Sequence, residues 1–288
     1  MGPHGAVCGK VHVDRMAAAS ATEKLGGGVD FAALSDTGNE RAGNEDACGS
    51  HSESPTHVLV AVADGVGGEE GGEVASQMAI DVTLRTYRES PASWGASKRL
   101  YRAVQQANIE IHDRALVVTE LRRMSTTITA LVVDGDVAHA AHVGDSRLYL
   151  VRNGRITQKT KDHTVLAGRL RMHATNRTSE RASVERSTLT RSLGRELIAA
   201  VDRLTFPVAR DDVLLLCSDG LYNVLGEDEL RQVARETDSA VGCRNLIDAA
   251  NARGTPDNVT AIVVRILDGA PLPERSGWLA RMARFVGR

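Results

Sequence analysis

Apolar runs in this chain end repeatedly on an aspartate followed by a glycine. His57-Val58-Leu59-Val60-Ala61-Val62-Ala63 leads into Asp64-Gly65, and Val213-Leu214-Leu215-Leu216-Cys217 leads through Ser218 into Asp219-Gly220. Further acidic points are Arg41-Ala42-Gly43-Asn44-Glu45-Asp46, Gly144-Asp145-Ser146-Arg147 and Pro256-Asp257-Asn258. Short continuous apolar runs bounded by turn residues read as buried strands. Carboxylates placed at several strand ends can meet in space although they are distant in sequence. Such a cluster repels itself unless a cation holds it together, and an all-oxygen donor set points to a hard divalent metal.

Not every Asp-Gly pair has this meaning. Asp134-Gly135-Asp136 lies between two alternating runs at hairpin spacing and reads as an ordinary turn. Asp64 differs, because Val66-Gly67-Gly68 follow and a plain turn needs fewer glycines. Glu69, Glu70 and Glu73 read as acids favoured at a helix start.

The chain has 288 residues and balances 35 Lys and Arg against 37 Asp and Glu, which argues against a general nucleic-acid binder. This length buries a real core without disulfides. Cys8, Cys48, Cys217 and Cys243 are isolated and form no CxxC pair, so neither a zinc site nor a thioredoxin-like motif is indicated. Cys217, inside an apolar run, is expected as a buried thiol. No Arg stands six positions after any Cys, where Asp14, Ser54, Asn223 and Ala249 lie, so a cysteine phosphatase is excluded. No Gly-Lys-Ser/Thr ending marks a P-loop. No apolar run reaches membrane-spanning length and the N-terminus lacks a compact secretory segment, so the expected location is cytoplasmic.

Residues 1–28 are expected to be a flexible leader, 29–267 one domain, and 268–288 a basic amphipathic tail. Periodicity predicts helices over about 72–88, with Val74, Met78, Val82 and Leu84 inward, and about 97–117, with Leu100, Val104, Ile111 and Leu116 inward. Two further helices are expected over about 227–236 and 240–252. Strands are expected over 126–133, 137–143, 147–152, 155–158, 213–217 and 259–266, with Asn153-Gly154 as the strongest hairpin signal. Antiparallel meanders follow from this, not a parallel sheet. About 164–190 is the least regular interior stretch and carries more Arg than acid, which reads equally as a solvated surface loop or as a basic flap beside an anion site.

Taken in order, these stretches resemble the metal-dependent serine/threonine protein phosphatases of the PPM (PP2C-like) family in their bacterial form. The matching segments are Ser35-Asp36-Thr37-Gly38 through Asn44-Glu45-Asp46, Ala63-Asp64-Gly65-Val66-Gly67-Gly68 through Ser76, Ser125-Thr126-Thr127, His142 through Arg147, Lys161-Asp162-His163, Leu189 through Gly194, Cys217 through Leu221, and Asp257-Asn258-Val259-Thr260. They run collinearly across about residues 30–267.

The resemblance implies an α+β fold: an αββα sandwich of two facing antiparallel sheets flanked by helices. It implies two Mn2+ or Mg2+ ions, with a weaker third. Asp64 would bridge the pair, Glu45 and the Gly65 carbonyl would serve one ion, and Asp219 and Asp257 the other. Asp46 would orient metal-bound water, Asp145 with Asp219 would form the third site, and Arg41 would grip the substrate phosphate. A hydroxide between the ions would then hydrolyse phosphoserine and phosphothreonine in proteins. The expected setting is opposition to a bacterial Ser/Thr kinase, by a monomer without nucleic-acid partners. Val66 stands where eukaryotic members carry a His, so no side chain is assigned as general acid. The alternative is a non-catalytic phosphoprotein-binding module of the same fold. Such a module is expected to have lost some of Asp64, Asp219 and Asp257, and all remain.

Overall fold

Continuous apolar strands need cover on both faces, and the chain supplies it with four layers. The computed structural model describes residues 22–24, 28–66, 71–171 and 188–268. The first layer is a helix pair, α1 (Gly71–Glu89) and α2 (Ala96–Val117). The second is a sheet in the order β10 (Asp202–Pro207), β7 (Val137–Val143), β6 (Ile128–Asp134), β4 (His57–Val66), β3 (Asp46–Ser54). The third is a sheet in the order β1 (Thr22–Lys24), β2 (Val29–Asp36), β12 (Val259–Ile266), β11 (Val213–Cys217), β8 (Arg147–Arg152), β9 (Arg155–Gln158). The long C-terminal helix, Ser239–Ala252, forms the fourth layer. Every strand pairing is antiparallel. The expected α+β sandwich is therefore the observed fold.

Strand alternation divides the apolar residues between layers. Along β4, Val58, Val60 and Val62 point between the sheets, where they join Phe31, Leu131, Leu148, Leu214, Leu216 and Ile262. Leu59, Ala61 and Ala63 point the other way, against Ala75, Ala79, Leu100, Val104 and Ile111 of the helix pair. On the second sheet Leu215 and Val263 pack outward onto Cys243, Leu246 and Ile247 of the C-terminal helix. The Asn153-Gly154 turn has φ of 50° and 70° at its two residues and closes the β8–β9 hairpin as a type I′ turn.

Several expectations need correction. Leu116 is 69% exposed; the buried stripe of α2 runs Leu100, Ala103, Val104, Ala107, Ile111, Ala115, and Leu116 lies one residue past it. On α1, Val74, Met78 and Leu84 are half-buried at the margin, while Ala75, Ala79, Ile80 and Val82 form the contact. Thr127 interrupts the expected 126–133 strand, leaving the two-residue β5 (Ser125–Thr126) paired to Gly65 and Val66. Of the expected leader, β1 pairs with Asp30–Ala32, and 1–21 and 25–27 lie outside the described residues. The 227–236 helix is a short α-turn, Glu227–Leu230, continued as a 3-10 turn to Arg235. Within the expected flap, 165–171 are helical (α3), and 172–187 lie outside the described residues, as do 67–70 and the 269–288 tail. Cys217 is fully buried. Among the described residues no helix is long and apolar enough to cross a membrane.

Candidate metal centre

Strand register brings the acidic stretches to one end of the sandwich. Asp46 opens β3 and pairs directly with Asp64 near the end of β4. On the facing sheet, Asp36 ends β2 opposite Val259, and Cys217 ends β11 opposite Ala261 and Arg147. Asp257 and Asp219 thus lie just beyond adjacent strand ends, and Asp145 sits between β7 and β8 at the same end.

The same alternation that builds the inner core aims side chains into this mouth. Asp64 continues the inward row Val58, Val60, Val62. Ser35 continues Phe31 and Ala33, Ser218 continues Leu214 and Leu216, and Thr260 precedes Ile262 and Val264. These inward polar groups meet. Ser218 Oγ donates to Asp46 Oδ2 at 2.6 Å, and Thr260 Oγ1 donates to the same oxygen at 2.7 Å. With its proton committed there, Thr260 accepts from Ser35 Oγ (2.7 Å), which accepts from Asn44 Nδ2 (2.9 Å). Donors thus run in one direction, and each bond polarises the next. The two sheets are stitched together through the Asp46 carboxyl.

Backbone geometry holds the other acids. Asp64 N–H donates to Thr127 Oγ1 (3.0 Å), and its carbonyl accepts from Thr127 N–H (2.9 Å) and Thr126 Oγ1 (2.8 Å). Asn258 Oδ1 accepts from Glu45 N–H at 2.8 Å, while its amide donates to the Thr37 and Gly43 carbonyls. One side chain therefore ties the 37–45 loop to the Asp257 turn. Gly38 has φ of 76°, and a Cβ there would lie 2.2 Å from the Asp257 carbonyl oxygen, so only glycine fits. Asn223 Nδ2 donates to Asp219 Oδ2 at 3.1 Å. Arg41 Nη2 donates to Asp257 Oδ2 at 3.0 Å from a half-exposed position.

Asp145 is fixed from behind. Gly144 N–H donates to His163 Nδ1 (3.1 Å), while Nε2 faces Asp202 Oδ2 at 3.2 Å and Arg191 Nη1 at 3.2 Å. Arg191 holds the other Asp202 oxygen at 2.9 Å. His163 N–H donates to the Gly144 carbonyl at 2.8 Å, and Tyr222 Oη donates to the Asp145 carbonyl at 3.1 Å.

Charge repulsion dominates this end of the molecule. Burial, then the charges of Asp46, Asp219, Asp145 and Asp257, push the Asp64 carboxyl well above the usual carboxylate range. Burial and Asp219 push Asp145 up to about 8. Burial also raises Asp46 and Asp219, against the pull of their hydrogen bonds, and raises Glu45 against the pull of Arg41. Arg41 pulls on Glu45 and Asp219 and Arg147 pulls on Asp145, which is not enough to neutralise the cluster. Protonation or a bound cation must compensate. Carboxylate and carbonyl oxygens without sulfur suit Mg2+ or Mn2+. Among the described residues no three acidic, His or Cys side chains are arranged to hold an ion by themselves.

The family resemblance assigned Arg41, Glu45, Asp46, Asp64, Gly65, Asp145, Asp219 and Asp257 to one site, and all lie at this end. It gave no role to Ser35, Asn44, Ser218, Asn258 and Thr260, although they stand in the same motifs, nor to the His163–Asp202 brace. The signal that could have found the hydroxyls is the period-two row each one extends.

The family model for protein phosphatase 2C matches residues 39–251. The serine/threonine phosphatase stp of Listeria monocytogenes is 33% identical over 233 residues, 80% of this chain and 92% of that one. The serine/threonine protein phosphatase PstP of Mycobacterium tuberculosis is 35% identical over 83% of this chain and 45% of that longer protein. A crystal structure of the PstP catalytic domain in complex with two manganese ions superposes with a TM-score of 0.73 at 33% identity, covering 84% of this chain and 99% of that one. The chain belongs to the protein phosphatase 2C (PPM) family, in its bacterial form.

Proposed function

We propose that this chain is a metal-dependent protein serine/threonine phosphatase that hydrolyses phosphoserine and phosphothreonine in proteins. One observation carries the reading: Asp46, Asp64, Asp145, Asp219 and Asp257 gather at one end of the sandwich with far too little positive charge among them. Asp64 would be shared by two divalent ions, with Glu45 and the Gly65 carbonyl toward one and Asp219 and Asp257 toward the other. Bound there, the ions supply Lewis acidity, making water acidic enough to furnish hydroxide near neutral pH and drawing charge from the phosphoryl oxygens.

The chain's own residues do the rest. Ser218 and Thr260 hold one Asp46 oxygen, leaving the other free to accept from water and orient it. Arg41, half-exposed at the rim, offers a guanidinium fork to the phosphate. Its contact with Asp257 positions the fork before substrate arrives. Asp145, braced through Gly144 by His163, would add the weaker third site with Asp219. Val66 is 38% exposed and carries no proton, so the leaving oxygen takes its proton from water. We extend the reading to a cytoplasmic monomer that reverses the work of a bacterial Ser/Thr kinase. Two manganese ions in the PstP catalytic domain support the metal assignment.

Hydrolysis of p-nitrophenyl phosphate and of a phosphothreonine peptide tests this, with Mn2+ and with EDTA. Turnover of both, abolished by EDTA, is expected. Absence of turnover by folded, Mn2+-loaded protein would leave the non-catalytic binding module as the better reading.

A further inference from the structure

Behind β5, on the side away from Asp64, lies a groove of about 720 Å3 between the end of α2, the 119–124 turn and Gly194-Arg195. Arg122, Arg123, Arg195 and His112 line it with Leu116 and Met124, and no carboxylate is among the lining residues. Arg122, Arg123 and Arg195 are exposed. Elsewhere Arg85, Arg99, Arg147, Arg152, Arg231 and Arg253 each hold a carboxylate, but these three make no ion pair among the described residues. Exposed Glu120 and Glu196 are neighbours in sequence and pair with none of them. At the rim Leu116 and Val117 are 69% and 82% exposed, an aliphatic step beside the positive charge.

The groove adjoins the reaction centre. Met124 forms its floor and leads into Ser125-Thr126, which pair with Val66 and Gly65. The Thr126 hydroxyl bonds the Asp64 carbonyl. One strand therefore separates groove and carboxylates. Two strand spacings are about 10 Å, which an extended peptide crosses in about three residues.

We propose that this groove receives an acidic segment of the phosphoprotein substrate, about three to five residues from the phosphoresidue. The inference rests on the phosphatase reading above and adds a substrate preference to it. Three unpaired guanidinium groups with no competing carboxylate in the lining favour an anionic guest, and their field steers it in. Leu116 and Val117 fit a peptide carrying an aliphatic residue beside its acids. A nucleic acid would want aromatic stacking surfaces, and the lining offers none beyond His112.

The test uses two phosphothreonine peptides that differ only in three flanking residues, Asp or Gln, with p-nitrophenyl phosphate as reference. The wild-type chain is expected to turn over the acidic peptide with about tenfold higher kcat/KM, through KM, as three exposed ion pairs allow. Raising salt should erase the preference. The triple variant R122E/R123E/R195E should lose or invert it while keeping p-nitrophenyl phosphate turnover. Equal kcat/KM for both peptides in the wild type, or a preference that survives charge reversal, overturns the groove assignment. If nothing is hydrolysed, the phosphatase reading fails instead. Fluorescence anisotropy of the same labelled peptides then decides the groove: tighter acidic binding lost in the variant supports it, and equal binding overturns it.

Discussion

Removing metal should make the stability of this protein fall with pH in a window where ordinary domains are flat. Asp145 has a folded pKa of about 8 against an unfolded value near 3.8. The folded chain therefore keeps a proton that the unfolded chain has released. By linkage, unfolding free energy falls as pH rises from about 4 to about 8. The window from pH 7 to 8 isolates the cluster. His142 and His139 have lowered values, so their opposite contribution is complete below pH 7. Glu53, Glu110 and Asp202, also lowered, finish lower still. Cys48, Cys217 and Cys243, raised to about 12, act only at higher pH. From Asp145 alone the loss between pH 7 and 8 is about 1 kcal/mol, and Asp64, also raised, adds to it with the same sign. Urea unfolding in EDTA across this window reads the loss directly. Saturating Mn2+ must release those protons on binding, so its stabilising effect should grow over the same interval. An EDTA stability that stays level or rises from pH 7 to 8 would refute the account of a self-repelling carboxylate cluster.

Three substitutions probe separate parts of the site. Thr260→Val keeps shape but removes the 2.7 Å bond to Asp46 and leaves Ser35 without its acceptor; about 2 kcal/mol of stability should be lost on urea unfolding, and a change under about 0.5 kcal/mol would contradict the stitch between sheets. Gly38→Ala places a Cβ 2.2 Å from the Asp257 carbonyl at a φ of 76°, so it should cost about 1–2 kcal/mol and weaken Mn2+ binding in calorimetry; unchanged metal affinity would show that Asp257 does not depend on this packing. Arg41→Ala should raise KM for a phosphopeptide about tenfold while changing kcat little, and an unchanged KM would remove the phosphate grip.

Much of the fold is legible in sequence because its signals are local. Asn153-Gly154 fixes a hairpin by backbone conformation alone, and the apolar runs of β4 and β11 need helices on one side and a second sheet on the other. What is missed lacks such signals. β3 reads Asp-Ala-Cys-Gly-Ser-His-Ser-Glu-Ser, a polar edge strand shaped by its register with β4 and not by its own pattern. β10 carries Asp202 and Arg203 and ends on Pro207, as an edge strand tolerates. Leu116 shows the limit of periodicity at a helix end, where a shift of one residue turns a side chain from core to solvent. At the site, aspartates after apolar runs announce themselves. Ser218, Thr260 and Ser35 do not, since a hydroxyl acquires its role only when a partner from the opposite sheet arrives. Asp202 belongs to the brace behind Asp145 through a fold-level contact, distant from any motif.

Diffraction at the manganese absorption edge, from crystals grown with Mn2+, addresses the centre most directly. Two strong anomalous peaks are predicted, both against the Asp64 carboxylate, one beside Glu45 and the Gly65 carbonyl and the other beside Asp219 and Asp257, with a weaker third beside Asp145. Peaks elsewhere on the molecule, or none at this end of the sandwich at saturating Mn2+, would contradict the assignment.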